Sequence, residues 1–501
     1  PPKKQQSNSN QYNYIMALNN KYTFNLSPKG LIFMLLSGGL IVMIYSLVFQ
    51  NWIVFNTILM APIALLLCVT ALRKPMFSYI MYGFTVCYFA AIYRYVGING
   101  LSVILDIFLL VCLLSIILNV ANNHTFPWSL GINTFTLAYG VWLIICLFQI
   151  LNPNDPSIDI INLESVFFTV PMTYFLSGIF LNSSKKLRIT LLLLGIYVLT
   201  AALKLYWQKV RGWDSTEITW LASGAWHTHL LQSGVRYFSF FSDAGNFGAI
   251  MGMLTITFGI ATFNISSKYY RLFFIIITLL SGLGLMMSGT RGAMIVPFGG
   301  IMLYFILSKN AKIMATSCII GAFIFSFFYF TNIGDGNVFI RRMRTAFRPT
   351  EDASFNVRRE NQKRFAYYLN DKPFGVGLGG HIIDKEGLMQ LDEPYIPTDS
   401  HYVGIWVETG IVGLSIYLGL LSVIILRGCY VIMFKIHDKE LRNLLAALLC
   451  GVFGLWLSGY VNRSMGFHPG RFLVAIFISF VLNGPYIENI LKDERSKKTT
   501  K

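Results

Sequence analysis

Charge is scarce in this sequence. Only 13% of its 501 residues are Asp, Glu, Lys or Arg, about half the share of an ordinary soluble chain. Regular alternation of polar and apolar residues is missing too, which argues against a transmembrane β-barrel. The seven cysteines, Cys68, Cys87, Cys112, Cys146, Cys318, Cys429 and Cys450, lie in or at the ends of apolar runs and form no CxxC, so neither a disulfide framework nor a zinc site is expected. There is no GxxxxGK followed by Ser or Thr, hence no P-loop, and no internal repeat. Residues 1–30 are polar and basic without an apolar core or cleavage site, so no signal peptide is expected, with Met16 a candidate native start behind added residues.

What is present is apolar bulk: 55% hydrophobic residues and a mean hydropathy of +0.58. The apolar residues come in runs long enough to span a bilayer, about 20 residues each. Helices satisfy their own backbone in lipid, so the sequence predicts an all-α polytopic membrane protein. About fourteen segments can be counted, near 31–49, 52–72, 76–93, 100–120, 132–151, 165–182, 187–206, 242–263, 271–289, 291–308, 313–331, 401–427, 441–461 and 471–483, which sets the expected number of helices at about 12–14. The weakest is 242–263, with Ser242, Asp243 and Asn246 near its start.

Lys and Arg number 40 against 23 Asp and Glu. Membrane proteins concentrate basic residues in cytoplasmic loops, so this excess predicts membrane lipids, not nucleic acid, as the partner. The basic connections alternate along the chain: Lys3 to Lys29, Arg73-Lys74, Lys185 to Arg188, Lys268 to Arg271, Lys309 to Lys312, Arg427 to Arg442, and Lys497 to Lys501. Both termini then fall in the cytoplasm. The expected organisation is a cytoplasmic tail at 1–30, a helical bundle at 31–331, a large outer loop at 332–400, further spans at 401–483 and a tail at 484–501. A second long outer loop runs from about 207 to 241. The large loop is rich in arginine (Arg341, Arg342, Arg344, Arg348, Arg358, Arg359 and Arg364), which fits anionic groups as much as a solvated surface.

Three stretches stand out for chemistry. The first, Arg236 to Gly248, puts a cation where an outer loop meets a polar helix start; Ser242 or Asp243 is its expected cap, and the helix N–H groups beyond would favour an anion. The second, Ser288-Gly-Thr-Arg291-Gly292, is a tight outer turn holding an arginine. The third runs from Pro397 through Asp399, His401, Tyr402 and Glu408 to Gly413. His401 is expected at the outer mouth of a span, with Glu408 two turns deeper on the same helix face. Two guanidiniums can hold a diphosphate in bidentate fashion, and a histidine can accept a proton near neutral pH. Arg236, Arg291 and His401 are therefore expected to converge and displace a diphosphate by a hydroxyl, without metal or other cofactor. The other outer histidines, His227, His229, His381 and His468, lack comparable flanking structure. The bland alternatives are arginines snorkelling to headgroups and a structural hydrogen bond for Glu408.

The same stretches resemble the O-antigen ligase and O-antigen polymerase superfamily of bacterial membrane glycosyltransferases. The matching features, in order, are Arg236 with Asn246, Ser288 to Gly292, Pro373-Phe-Gly375-Val-Gly377-Leu-Gly379, His401, and Glu408-Thr-Gly410. The family often carries Asn after the histidine, where this chain has Tyr402. The resemblance implies a GT-C-like enzyme of the bacterial inner membrane with its site facing the periplasm. Its donor would be an undecaprenyl-diphosphate-linked glycan and its acceptor a glycan or lipid-linked glycan, with inversion at the anomeric carbon. Catalytic His401 and diphosphate-binding Arg236 and Arg291 would be supported by Asp243, Asn246, Glu408, Asp399, Tyr402, Arg358 and Arg359. Ligation, repeat-unit polymerisation and protein O-oligosaccharyl transfer are the reactions within the family. A transporter or flippase of lipid-linked glycan, or a non-catalytic assembly scaffold, is the alternative outside it.

Overall fold

The computed structural model describes residues 62, 65–97, 100–122, 124–152, 165–231, 234–263, 265–308, 311–347, 353–379, 398 and 400–499. Two units divide after Lys74. Of the first, a helix across 65–73 is described. The second is built of helices: α1 Pro75–Val96, α2 Val103–Ala121, α3 Thr134–Gln149, α4 Val170–Phe180, α5 Ser184–Val210, α6 Ser215–Trp220, α7 Ala244–Ala261, α8 Lys268–Met287, α9 Ile295–Leu307, α10 Ala311–Phe330, α11 Val338–Arg344, α12 Ala353–Tyr368, α13 His401–Tyr430, α14 Lys439–Ser458, α15 Gly470–Leu482 and α16 Gly484–Thr499. A two-residue antiparallel pair, Leu230–Leu231 with Gly234–Val235, is the sheet among the described residues.

Seven described stretches are long and apolar enough to cross a membrane, and α15 with α16, bent by 56° between them, passes the same test only as a pair. This is the expected all-α polytopic membrane protein. The segment near 31–49 and the start of that near 52–72 lie outside the described residues.

The segment weakest in hydropathy becomes the centre. In α7, 83% of the spanning window is buried inside the protein, as it is in α14. The reason is composition. Lipid contributes no net apolar driving force between helices, so close packing must hold them, and small residues permit it. Helices α7, α9 and α14 pack mutually. At their crossing a Cβ on Gly454 would fall 2.1 Å from the Val296 carbonyl oxygen, so no other residue fits there. Lipid-facing segments such as α2 and α8 are only 28% buried and are correspondingly richer in Leu, Ile and Phe.

Polar groups seal the end remote from the site. Asn443 Nδ2 donates to the Ile260 carbonyl at 2.9 Å, and Tyr304 donates its hydroxyl to Asn443 Oδ1 at 2.7 Å. The stretch 484–501 was expected as a tail. It is helical to Thr499, with Ile487 buried and Glu488 accepting the His437 and Asp438 N–H groups at 2.9 and 2.8 Å.

Candidate functional site

Four connections meet at one end of the bundle: 236–243 before α7, 288–294 between α8 and α9, 331–347 and 353–379 after α10, and 459–469 between α14 and α15. The turn at 288–290 is their hub. Ser288 Oγ donates to the Leu285 carbonyl at 2.7 Å and accepts the Thr290 N–H at 3.1 Å. Gly289 sits at φ +58°, and a Cβ there would lie 3.2 Å from Arg236 Cγ and 3.3 Å from Arg342 Nε. A left-handed residue with two arginine stems against it is a glycine position.

Arg236 is fixed by three bonds to protein. Nη2 donates to Thr290 Oγ1 at 2.8 Å, Nη1 to the Thr228 carbonyl at 2.9 Å, and Nε to the Ser288 carbonyl at 3.4 Å. Thr290 Oγ1 itself donates to the Ala244 carbonyl at 2.8 Å, tying the turn to the start of α7. Arg291 Nη1 donates to Thr345 Oγ1 at 3.0 Å, and Thr345 in turn donates to the Arg342 carbonyl. Burial holds the Arg236 pKa below its usual value; Asp243 opposes this, while Arg291 and Arg358 press the same way. The guanidiniums of Arg236, Arg291 and Arg358 thus share one electrostatic neighbourhood, with Arg342 packed on the same turn. They stay charged, and a multivalent anion would relieve their repulsion. Arg344, by contrast, pairs with Asp335 and donates to the Ile333 carbonyl. Arg359 is exposed.

Asp243 is the cap of α7: Oδ1 accepts the Asn246 N–H at 2.9 Å and Oδ2 accepts the Ser242 hydroxyl at 2.8 Å. Of the N–H groups expected to face an anion at this helix start, those of Ala244, Asn246 and Phe247 are engaged by protein. The Ala244 N–H donates to His229 Nε2 at 3.1 Å, and the Phe247 N–H to the Asp243 carbonyl at 3.0 Å. His229 lies 2.8 Å from the Ala225 carbonyl through Nδ1, which assigns the proton to Nδ1; burial lowers its pKa and keeps the ring neutral. His229 and Asp243 thus take up N–H groups at this helix start. His229 has the flanking structure that the sequence reading did not assign to it.

The third stretch departs most from expectation. Helix α13 is broken at Gly410, with φ +67° and ψ −172°. His401–Thr409 folds back, so that His401 Nε2 lies 3.1 Å from the Tyr417 hydroxyl. Glu408 sits at the break, and His401 lies beside a residue about two turns along Ile411–Tyr430. The expected depth order of His401 and Glu408 is thus reversed. The first half-helix belongs to the loop: Val403 and Val407 share a small core with Phe365, Leu369 and Val376.

The segment Pro373–Gly379 closes the break. A helix end leaves carbonyls without partners. Val376 and Gly377 donate their N–H groups to the Val407 and Glu408 carbonyls at 2.9 and 3.0 Å. Val412 N–H donates to the Pro373 carbonyl at 3.3 Å, and Gly379 N–H to Glu408 Oε1 at 3.0 Å. A Cβ on Gly410 would lie 2.0 Å from the Pro373 oxygen, and one on Gly375 would lie 2.5 Å from the Gly410 nitrogen. The two glycine motifs face one another.

The segment 459–469 reaches every part of this end. The His401 N–H donates to the Gly459 carbonyl at 2.9 Å, and Val461 packs where a Cβ on Gly292 would stand. Asn246 Nδ2 donates to the His468 carbonyl at 2.7 Å, Tyr460 donates to Gln362 Oε1 at 3.2 Å, and Arg463 Nη1 reaches Thr398 Oγ1 at 3.4 Å. His401 Nδ1 would lie 2.9 Å from a Cβ on Gly466. Tyr402, where the family often has Asn, donates its hydroxyl to the Trp456 carbonyl at 2.5 Å. Arg236 and Arg291 are thus brought together. His401 forms a neighbouring cluster, joined to them through 459–466. Asp399 lies outside the described residues. Sequence reading passed over 459–469 as a short connection; its signal was Gly459, Asn462, Arg463, Gly466 and Gly470 packed between two apolar runs.

The profile of the family described as O-antigen ligase matches residues 274–418. An O-antigen polymerase of Salmonella muenchen is 31% identical over 189 residues, which are 36% of this chain and 44% of that protein. The resemblance to the O-antigen ligase and polymerase superfamily holds. The chain spans less than half the length of the Salmonella polymerase. The region matched to the ligase family covers the 288–291 turn, the closing segment 373–379, His401 and Glu408. Arg236 and the 459–469 connection lie outside it.

Proposed function

We propose that this protein is a glycosyltransferase that moves a glycan from an undecaprenyl-diphosphate donor to an acceptor hydroxyl at the periplasmic face of the inner membrane. The observation that carries the reading is the pair Arg236 and Arg291, fixed on one turn with Arg342 and Arg358 beside them. Fixed guanidiniums suit the two phosphates of the donor, before and after its bond to sugar breaks. The glycosidic C–O bond to the diphosphate breaks, the acceptor oxygen takes the anomeric carbon from the opposite side, and the acceptor proton passes to a base. His401 is that base in this reading. Gly466 packs closely against its Nδ1 side, and Nε2 meets the Tyr417 hydroxyl. No energy source is needed, since the donor is already activated.

The name of the Salmonella relative favours a growing lipid-linked repeat as acceptor, hence polymerisation. The family description favours ligation. Purified full-length protein in detergent is to be given undecaprenyl-diphosphate-linked glycan, with either a second lipid-linked glycan or lipid A core as acceptor. Product is expected without any membrane gradient, and longer lipid-linked glycan identifies the polymerase. Failure to release undecaprenyl diphosphate with any acceptor, alongside gradient-driven movement of the donor in vesicles, would establish a transporter instead.

A further inference from the structure

A chamber opens next to the start of α7. It has a volume of about 740 Å³, within the ~300–1,000 Å³ range of small-molecule sites. One wall is a face of α1, where Phe89 and Tyr93 stand four residues apart, continued by Gly97 just past the helix end. The facing wall is α6 and its continuation, where Ser215, Thr219 and Ser223 recur at the same spacing beside Trp220. Ser242, next to the α7 cap, and the Phe467-His468 end of the 459–469 connection complete it.

The chamber is built and held. Lys204 Nζ pairs with Asp214 at 2.9 Å and with the buried Glu217 at 3.0 Å, and Asp214 caps α6 through the Glu217 N–H at 2.9 Å. The Arg94 guanidinium lies 4.3 Å from the Trp220 ring and 4.6 Å from the Phe238 ring, while Nη2 donates to the Phe241 carbonyl at 2.6 Å. That stacking fixes the Trp220 ring in the wall. Thr219 donates its hydroxyl to the Ser215 carbonyl and Ser223 to the Trp220 carbonyl, so their oxygens are left as acceptors. His468 lines the floor as a neutral ring, its pKa lowered to about 3 by burial and by Arg471.

We infer that this chamber is a saccharide subsite, in which sugar rings lie against Tyr93 and Trp220 and donate hydroxyls to the Ser215, Thr219 and Ser223 row. Sugars present apolar C–H faces and a rim of hydroxyls. Aromatic faces opposite a hydroxyl row match both at once. An isoprenoid chain would match the aromatic faces but leave the acceptor oxygens of the Ser215, Thr219 and Ser223 row unused. The subsite rests on the proposed glycan transfer, and its position across the 242–246 helix start from Arg236 suits a glycan whose reducing end is at the arginines. Donor and acceptor glycans share this chemistry.

The test uses full-length protein in detergent and two probes. One is a repeat-unit oligosaccharide of the producing bacterium, free of lipid and phosphate; the other is undecaprenyl diphosphate without sugar. Trp220→Ala is expected to weaken oligosaccharide binding about tenfold and leave undecaprenyl diphosphate binding unchanged. Thr219→Val, at an exposed position, is expected to weaken it about threefold and decides alone should Trp220→Ala fail to fold. Transfer kinetics assign the source, since the variants raise KM for the donor or for the acceptor. Oligosaccharide bound equally by wild type and both variants, or not bound by wild type, overturns the subsite. So does a Trp220→Ala protein that loses undecaprenyl diphosphate and keeps the oligosaccharide. Wild type that binds oligosaccharide but not undecaprenyl diphosphate supports the subsite while sinking the proposed donor.

Discussion

His401 and Tyr417 are sixteen residues apart in one apolar stretch, yet His401 Nε2 lies 3.1 Å from the Tyr417 hydroxyl. On an unbroken helix they would stand about 24 Å apart. The contact exists because the chain reverses at Gly410, and the reversal is stable because Pro373–Gly379 supplies donors to the carbonyls that the break exposes. The position of the histidine is therefore set by a glycine nine residues downstream and by a loop segment upstream, not by the span it begins.

This makes Gly410 a stability position. Gly410→Ala places a Cβ against the Pro373 carbonyl and forces an unfavourable left-handed φ. A loss of about 1–3 kcal/mol is expected, read as a lower melting temperature in detergent. Gly419→Ala, where a Cβ meets nothing within 4 Å, serves as control and should be neutral or slightly stabilising. Equal melting temperatures for the two variants would show that the reversal is not held as described.

Topology gives an independent check. The basic connections predict that 332–400 faces the periplasm. Cysteine introduced at Lys385 should react with a membrane-impermeant thiol reagent in intact spheroplasts, with the parent protein measured in parallel for its seven native cysteines. Reaction only after lysis would put the loop, and the arginine turn that contacts it, on the cytoplasmic side.

Arg291→Lys and Arg236→Lys test the diphosphate reading. A lysine keeps the charge but loses the fork that contacts Thr345 in one case and Thr290 and Thr228 in the other. A charge-assisted contact of this kind is worth about 2–3 kcal/mol, so transfer should drop about a hundredfold, with weaker donor binding. Wild-type transfer by Arg291→Lys would remove it from the site.

Much of this arrangement was readable in the sequence. Apolar runs gave the polytopic helical class, and the order of Arg236, Ser288-Gly-Thr-Arg291 and His401 named groups that meet at one end of the bundle. Three things were not readable. Hydropathy treats 401–427 as one span because Gly410 lowers the average very little; a single left-handed residue reverses the chain without changing composition. The 459–469 connection is short, and its value lies in long-range bonds to His401, Gln362 and Asn246 that no local pattern encodes. The centrality of α7 was hidden for the opposite reason. Small residues that lower hydropathy are the ones that suit helix–helix packing.

The last prediction concerns the proton. A clamped diphosphate leaves without an acid, but a sugar hydroxyl is a weak nucleophile, so assistance is needed on the acceptor side. A positioned base contributes about 10²–10⁴-fold. His401 is half-buried, bonded through its N–H to the 459–462 segment, and engaged at Nε2 by Tyr417. If Tyr417 fixes the tautomer, removing its hydroxyl should misplace the proton without emptying the site. His401→Ala is therefore expected to bind undecaprenyl-diphosphate-linked glycan normally and lose transfer by at least about a hundredfold. Tyr417→Phe should keep donor binding, lower kcat by about tenfold and move the acid limb of the pH–rate profile. The direction follows from the chemistry: a base works unprotonated, so wild-type transfer falls as pH drops and the imidazole takes a proton, while donor affinity stays flat. Three results would sink the assignment. These are near-full transfer by His401→Ala, its loss of donor binding, and a Tyr417→Phe profile that falls uniformly without a shift of its acid limb, which would mark the pair as structural.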